Sequence, residues 1–447
     1  MKKTAILLLM AISGSVLVGC GDDNDGPNKR QLDDIITLAQ DNGFNALAAA
    51  LAKADLVGAL QGEGPFTVFA PTDEAFEALL TAIGQESIDD VPADVLEQIL
   101  LYHVVEGAVF SEEIAAGNVT TLEGTAIALA TSGGITVNGT NVISPFDTEA
   151  SNGVIHTIDE VLVPSSVAQF VDSVLEPAYF SESFTTLVAA VVKADLVSTL
   201  LETPNLTIFA PSNDAFTAAG IDVSATDAET LGDVLAYHVL TSKVLSSGLP
   251  GSATTFGGDD IFFSITDDGV FINGSTEIVA VDIESGTGVV HVLDNVLLPP
   301  AGNVVDIAVE TDNFSSLVAA LTRTTTEGEI NLVDVLNGEG PFTVIAPTNA
   351  AFQALLDSNP EWTTLNDIPI GILVEVLTYH VVGARAYDVD LAGAVDANNE
   401  LGTVQGQNLT FNLTNLTINS TVNITSTNIH GTNGVIHVID AVLVPEL

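Results

Sequence analysis

One pattern recurs three times along the chain, and it limits the fold more than any other feature. Gly62-Glu-Gly-Pro-Phe-Thr-Val-Phe-Ala-Pro-Thr72 returns as Gly338-Glu-Gly-Pro-Phe-Thr-Val-Ile-Ala-Pro-Thr348, with a looser copy at Thr207-Ile-Phe-Ala-Pro-Ser212. A Tyr-His pair follows each copy, at Tyr102-His103, Tyr237-His238 and Tyr379-His380. Each unit then closes on an apolar-His sequence, at His156, His291 and His437, followed by Asp159, Asp294 and Asp440 and a Val-Leu-(Val/Leu)-Pro ending. The closing histidines are 135 and then 146 positions apart. That period is domain-sized, far longer than the roughly 20 to 50 residues of a solenoid repeat. The 447 residues therefore divide into tandem domains at 31–165, 166–301 and 302–447, with breaks where Pro164-Ser-Ser and Pro299-Pro-Ala-Gly302 interrupt the pattern.

Within a unit the hydrophobic period changes in a fixed order. Leu32, Ile35, Ile36 and Leu38, then Phe44, Leu47 and Leu51, carry helical spacing. Phe66, Val68 and Ala70 form a short β run that Pro71 stops, and Thr72 or Asp73 can cap the helix bearing Ala75, Phe76, Leu79 and Leu80. Val95, Leu96, Ile99, Leu100 and His103 make another buried helical stripe. Beyond Val104 the period becomes two, with hairpins at Ile127–Val137, at Ile261–Ile272 around Asp268-Gly269, and from Leu409 to Ile418. Helices leading and strands trailing predict an α+β class, with helices packed on a sheet sandwich.

These residues resemble the fasciclin-like domain family. The first family motif is similar to Thr67-Val-Phe-Ala-Pro-Thr-Asp-Glu-Ala-Phe76, Thr207-Ile-Phe-Ala-Pro-Ser-Asn-Asp-Ala-Phe216 and Thr343-Val-Ile-Ala-Pro-Thr-Asn-Ala-Ala-Phe352; the central Tyr-His and closing His motifs occur in all three units. The resemblance covers nearly everything after residue 31. It implies three tandem fasciclin-like domains, each a β-sandwich wedge flanked by helices. It also implies an extracellular or surface-tethered protein associated with adhesion to cells or matrix. The family-motif positions Pro71, Tyr102, His103, His156, Pro211, Tyr237, His238, His291, Pro347, Tyr379, His380 and His437 are the candidate structural or interaction residues. The integrin binding linked to animal relatives is not carried over, because the acidic integrin-type motifs are not evident. Unit two is also shorter than its siblings between Pro211 and Tyr237, which puts any surface site on that loop in doubt.

Six of the seven histidines recur, so an active site has to be considered. His103, His156 and Asp159 are the residue types of a metal site or an acid/base pair. The rings, however, sit among Val, Ile and Leu, where a buried imidazole ordinarily satisfies a backbone carbonyl. Tying the helix that bears His103 to the final strand is the expected role, and Asp159 falls on the opposite strand face. His430 has no counterpart and is expected in a loop. The chain lacks a Gly-x-Ser-x-Gly elbow and a phosphate loop, and Gly62-x-Gly64 precedes a strand rather than a helix. No catalytic residue, metal or cofactor is assigned. The Asn-x-Thr/Ser sequons between Asn408 and Thr425 read as the outward face of strands.

Charge and the N-terminus bound the setting. Lys and Arg number 9 against 59 Asp and Glu, a net charge of −50, so nucleic acid is excluded as a partner. Such acidity fits saline surroundings, where stability rises with NaCl, or divalent cations held between acidic faces. Residues 1–19 read as a secretory signal peptide, and Leu17-Val18-Gly19-Cys20 resembles a bacterial lipobox that makes Cys20, the single Cys, a lipidation site. Residues 20–30 then form a polar linker; Asp22, Asp23 and Asp25 lack EF-hand spacing. The sum is a non-enzymatic envelope protein, anchored to the membrane by lipid and favouring the outer membrane or cell surface, with the periplasmic face as the alternative. Its expected partner is a cell-surface protein or polysaccharide. The runner-up is an envelope protein that binds a small molecule or a metal.

Overall fold

Asp34 fixes where unit one begins: its carboxylate accepts from the amides of Ile36 and Thr37, which caps a helix α1 at Ile35–Asp41 and leaves Leu32 outside it. The computed structural model describes residues 32–327, 330–412 and 414–446; the signal segment, Cys20 and the linker lie outside the described residues. Helices α2 (Asn45–Lys53) and α3 (Val57–Leu60) follow, then strand β1 (Phe66–Pro71), α4 (Asp73–Ala82) and α5 (Ala93–Tyr102). The rest of the unit is β: β2 (Val104–Glu106), β3 (Gly117–Thr120), β4 (Ala126–Ala130), β5 (Thr136–Val137), β6 (Thr140–Ala150) and β7 (Gly153–Ile158). The strands form a seven-stranded sheet in the order β2-β1-β7-β6-β5-β4-β3, and both other units repeat this order. Only β1 and β7 run parallel, with Phe69 opposite His156.

A register shift in β6 between Ile143 and Thr148 breaks its pairing with β7, and such irregularities bend a sheet. The far strands thereby close over the near ones, and Phe69, Ile127, Val137 and Ile158 share one sandwich core. Val68, Ala70 and Ile155 face the other way, into the helices. The hairpins expected from sequence are present, with Leu129 opposite Val137, Phe263 opposite Ile272 and Phe411 opposite Ile418. The wedge of two sheet halves under helices is thus built three times.

The repeated glycines and prolines have local causes. Gly64 and Gly340 adopt φ of +54° and +71°, and a Cβ on either would lie 2.2 Å from the carbonyl oxygen of Asn152 or Asn433. Those two asparagines are buried, and each receives one amide, from Ile35 or Val304, while donating to two carbonyls at Leu60 and Gly62 or Leu336 and Gly338. Unit two has Thr287 at the corresponding place, and it also lacks the Gly-Glu-Gly-Pro loop. Scarce cations do similar work. Lys53 donates to the carbonyl of Asp89, Lys193 to Val223 and Ser224, and Arg323 to Leu365 and Ile368, which fastens the equivalent loop in each unit.

The units join in two ways. Between one and two, a single apolar cluster runs from Leu96 and Ile99 into Val167, Phe170 and Phe180. Ser166 Oγ donates to Gln98 Oε1, and Lys53 pairs with Glu182 at 2.9 Å. Unit three keeps separate cores for its helices and its sandwich. Among the described residues no helix is long and apolar enough to cross a membrane.

Candidate functional site

The three family motifs meet on one strand. β1 lies between β2, which follows the Tyr-His pair, and β7, which carries the closing His. The motif threonine Thr67 is buried; its hydroxyl donates to the carbonyl of Gly107 and accepts from the amide of Val109. Thr207 and Thr343 make the same two bonds, to Ser242 and Val244 and to Ala384 and Ala386. Pro71, Pro211 and Pro347 end their strands, and Thr72, Ser212 and Thr348 cap the next helix through the amides of Ala75, Ala215 and Ala351. The next motif residue reaches sideways: Asp73, Asn213 and Asn349 accept the amides of Ala46, Thr186 and Ser316 at the start of the preceding long helix.

The Tyr-His pairs are equally consistent. His103 Nδ1 donates to Ile99 O at 2.7 Å, and its Nε2 accepts the amide of Leu162 at 2.9 Å, which fixes a neutral ring between α5 and the segment after β7. His238 joins Val234 to Leu297, and His380 joins Val376 to Leu443, with the same distances. Burial pushes all three rings down to about 4, against the weaker upward pull of the carbonyl. The tyrosines turn to the other side. Tyr102, Tyr237 and Tyr379 donate to the carbonyls of Ala126, Asp260 and Asn408, and accept from Asn138, Asn273 and Asn419. Those asparagines hold φ of 52°, 52° and 51° at the hairpin turn, a conformation Asn tolerates better than most side chains.

The closing histidines lie in the sandwich, on the face opposite His103. Nε2 of His156, His291 and His437 donates to the carbonyls of Val109, Val244 and Ala386. Asp147 and Asp282, at φ of 51° and 60° in the irregular stretch of the neighbouring strand, grip Ser111 and Ser246 through both amide and hydroxyl. Asp147 Oδ1 stands 3.7 Å from His156 Nδ1. Burial pushes the Asp147 carboxyl up, but the Ser111 bonds and the ring outweigh it and hold the group below its ordinary value. His103, His156 and Asp159 are not brought together. Asp159 instead accepts from the backbone and side chain of Asn141, and Asp440 treats Asn423 the same way.

Unit three departs from this scheme, and the departure makes its contact with unit two. Asn428 replaces the aspartate and Asp388 replaces the serine, so the side-chain amide of Asn428 donates both to Asp388 and to the carbonyl of Gly274 in unit two. An aspartate there has no proton to donate. His430 corresponds to Glu149 and Glu284, as its pairing with Val435 shows. It is a strand residue in the Val422–Gly431 strand and sits at the junction, not in the loop expected from its lack of counterparts. Its Nδ1 accepts from Tyr387 Oη at 2.9 Å and from Arg385, while Nε2 lies 3.2 Å from Tyr237 Oη of unit two. Arg385 donates to the carbonyls of Gly431, Thr432 and Gly434 and lies 3.9 Å over the ring of Phe262. Burial and the Arg385 charge drive His430 down to about 3, against the opposing carbonyl of Asp260. Tyr387 packs on Gly274 so closely that a Cβ there would meet its ring carbons at 2.5 Å. Sequence reading missed Arg385 and Tyr387; the one available signal was that Arg is nearly absent from the chain.

Comparison with known proteins follows the same three-part division. The fasciclin domain family matches residues 42–164, 182–299 and 312–445. The chain is 33% identical over 407 residues to the pig transforming growth factor-beta-induced protein ig-h3, an alignment covering 90% of this chain and 56% of that protein. It is 29% identical over 419 residues to human periostin, across 91% of this chain and 47% of periostin. The Mycobacterium bovis cell surface glycolipoprotein MPB83 is 35% identical over 98 residues, 21% of this chain and 44% of that protein. The chain thus spans about half the length of the curated relatives it matches. It belongs to the fasciclin domain family, carrying the domain in three tandem copies.

Proposed function

We propose that this chain is a non-enzymatic, lipid-anchored protein of the cell envelope that attaches to a cell-surface protein or polysaccharide through several weak contacts. The observation that carries this reading is the fate of the six recurring imidazoles. Each donates to a backbone carbonyl, and three also accept a backbone amide at 2.9 Å, so the side chains best suited to chemistry are engaged in holding the fold. The adhesive associations of the fasciclin family and the surface location in the name of MPB83 point the same way. Three linked units raise effective concentration, and joint engagement can exceed single-site affinity by about 10² to 10⁴. Cys20 is the attachment point we assign to lipid, since several acyl chains on one residue give stable anchoring.

Two measurements test this. Beads bearing the full chain at graded density should attach to cells of the source envelope with a steeper than linear dependence, and EDTA separates cation bridging from direct contact. Tight stoichiometric capture of one small molecule, with no attachment, overturns the reading. Cys20→Ser should move the protein from the membrane fraction to the soluble one; unchanged fractionation removes the lipid anchor.

A further inference from the structure

Unit one has a cleft at the open side of its sandwich, with a volume of about 210 Å³, floored by Phe69 and walled by Val109, Ile114, Val119 and Leu129. The position that would close it is filled in both siblings. Leu129, opposite Val137, corresponds to Phe263, opposite Ile272, and to Phe411, opposite Ile418. Both phenylalanines are buried in their sandwich cores. In unit two the Phe263 ring lies 5.7 Å from Phe209, the counterpart of Phe69. Val119, opposite Ile127, corresponds to Leu401, opposite Leu409, in unit three, but to the smaller Ala253, opposite Ile261, in unit two. Unit one therefore keeps the floor and walls of the core but leaves out the ring that closes it. An apolar cavity of about 150 Å³ is enough to hold benzene, so the space takes one aromatic side chain.

The rim sets the charge of whatever brings that ring. Glu113 lines the cleft, with its carboxylate accepting the amide of Phe110, and Glu112 beside it is exposed. The sole cation of unit one among the described residues, Lys53, is on the helical side, bound to Asp89 and Glu182. A second copy of this chain is a poor occupant, since 59 acids against 9 cations make two copies repel. We propose that the unit-one cleft is a docking site for a basic segment of a partner polypeptide that inserts one aromatic side chain flanked by Lys or Arg. This deepens the adhesive reading and rests on it for the presence of a macromolecular partner.

The test uses the full chain and a labelled peptide, acetyl-Gly-Lys-Phe-Lys-Gly-amide, read by fluorescence anisotropy. Leu129→Phe copies both sibling units, Val119→Leu copies unit three, and each adds bulk to the cleft. Each is expected to weaken binding by about tenfold or more, as should replacing the peptide's Phe with Ala. Glu113→Gln or molar NaCl should weaken it several-fold. On the wild-type chain, peptide should slow amide exchange between Val109 and Val119, a readout that needs no variant to fold. Unchanged affinity in both filled variants, protection elsewhere, or equal binding of benzylamine alone overturns the proposal, the last by making the cleft a small-molecule pocket. The two readings fail separately: the peptide arms judge the cleft, and attachment of wild-type chain to cells judges adhesion.

Discussion

The two junctions of this chain solve the same problem with different physics. Units one and two merge their apolar helices into a continuous cluster, and a few polar contacts sit at its edge. Units two and three keep their cores apart and meet through Arg385, Tyr387, His430 and Asn428 on one side and Phe262, Tyr237 and Gly274 on the other. The first junction is non-directional and tolerant, as apolar burial is. The second depends on geometry and on protonation, because a buried polar network is costly when one member is lost. Identical folds can thus be strung together by either means, and the residues that differ between repeats decide which.

Acid should separate the two junctions most strongly. His430 titrates at about 3 in the docked state, below the ordinary value near 6.5, so a detached or unfolded unit three binds the proton more tightly. The stability of the folded, docked unit three is therefore full above about pH 6.5 and declines as pH falls toward 3, by an amount on the order of 5 kcal/mol, of which docking holds the part not due to Arg385 of the same unit. Small-angle scattering between pH 7 and 4.5 should show expansion that His430→Gln suppresses. His103, His238 and His380 add the same sign to each unit's own stability, lost between about 6.5 and 4. Calorimetry in buffers of different ionisation enthalpy should show about three or more protons taken up on unfolding at pH 5.5.

Arg385→Ala comes next. It strips three carbonyls of their donor and removes the cation from Phe262, at a cost of about 3 kcal/mol. Scanning calorimetry should then show unit three melting ahead of the rest; a single shifted transition would erase the distinction between the junctions. Val167→Ala, at a fully buried position of the first junction, should cost about 1 to 2 kcal/mol and lower units one and two together. Lys53→Met should cost less than about 1 kcal/mol, since its ion pair is partly exposed. That difference should shrink in molar NaCl, while the melting temperature of the whole chain rises as self-repulsion among the acids is screened.

How much of this was legible follows from what each residue's role depends on. The Pro-(Thr/Ser) step after β1 announces its helix cap from local chemistry alone, and the period-two hairpins follow from alternation. The Tyr-His and closing His positions were readable as motifs, yet their split onto opposite sheet faces needed the parallel pairing of β1 with β7, which joins residues far apart in sequence. Asn152 and Asn433 left a usable trace, because they occur only in the two units that carry the Gly-Glu-Gly-Pro loop. His430 was misread because lacking a counterpart is also what a residue specific to one junction looks like. The Leu129 cleft was invisible for a similar reason: Leu and Phe are equally apolar in a pattern, and only packing distinguishes them.

The five cations among the described residues, Lys53, Lys193, Lys243, Arg323 and Arg385, are all held by backbone carbonyls or carboxylates. Proteases of the trypsin type cut after Lys or Arg and need that residue in a locally opened strand of chain. From residue 32 to 446 this protein offers such an enzyme only these five tethered bonds, so a surface rich in basic-specific proteases would find almost nothing to cut without first unfolding a domain.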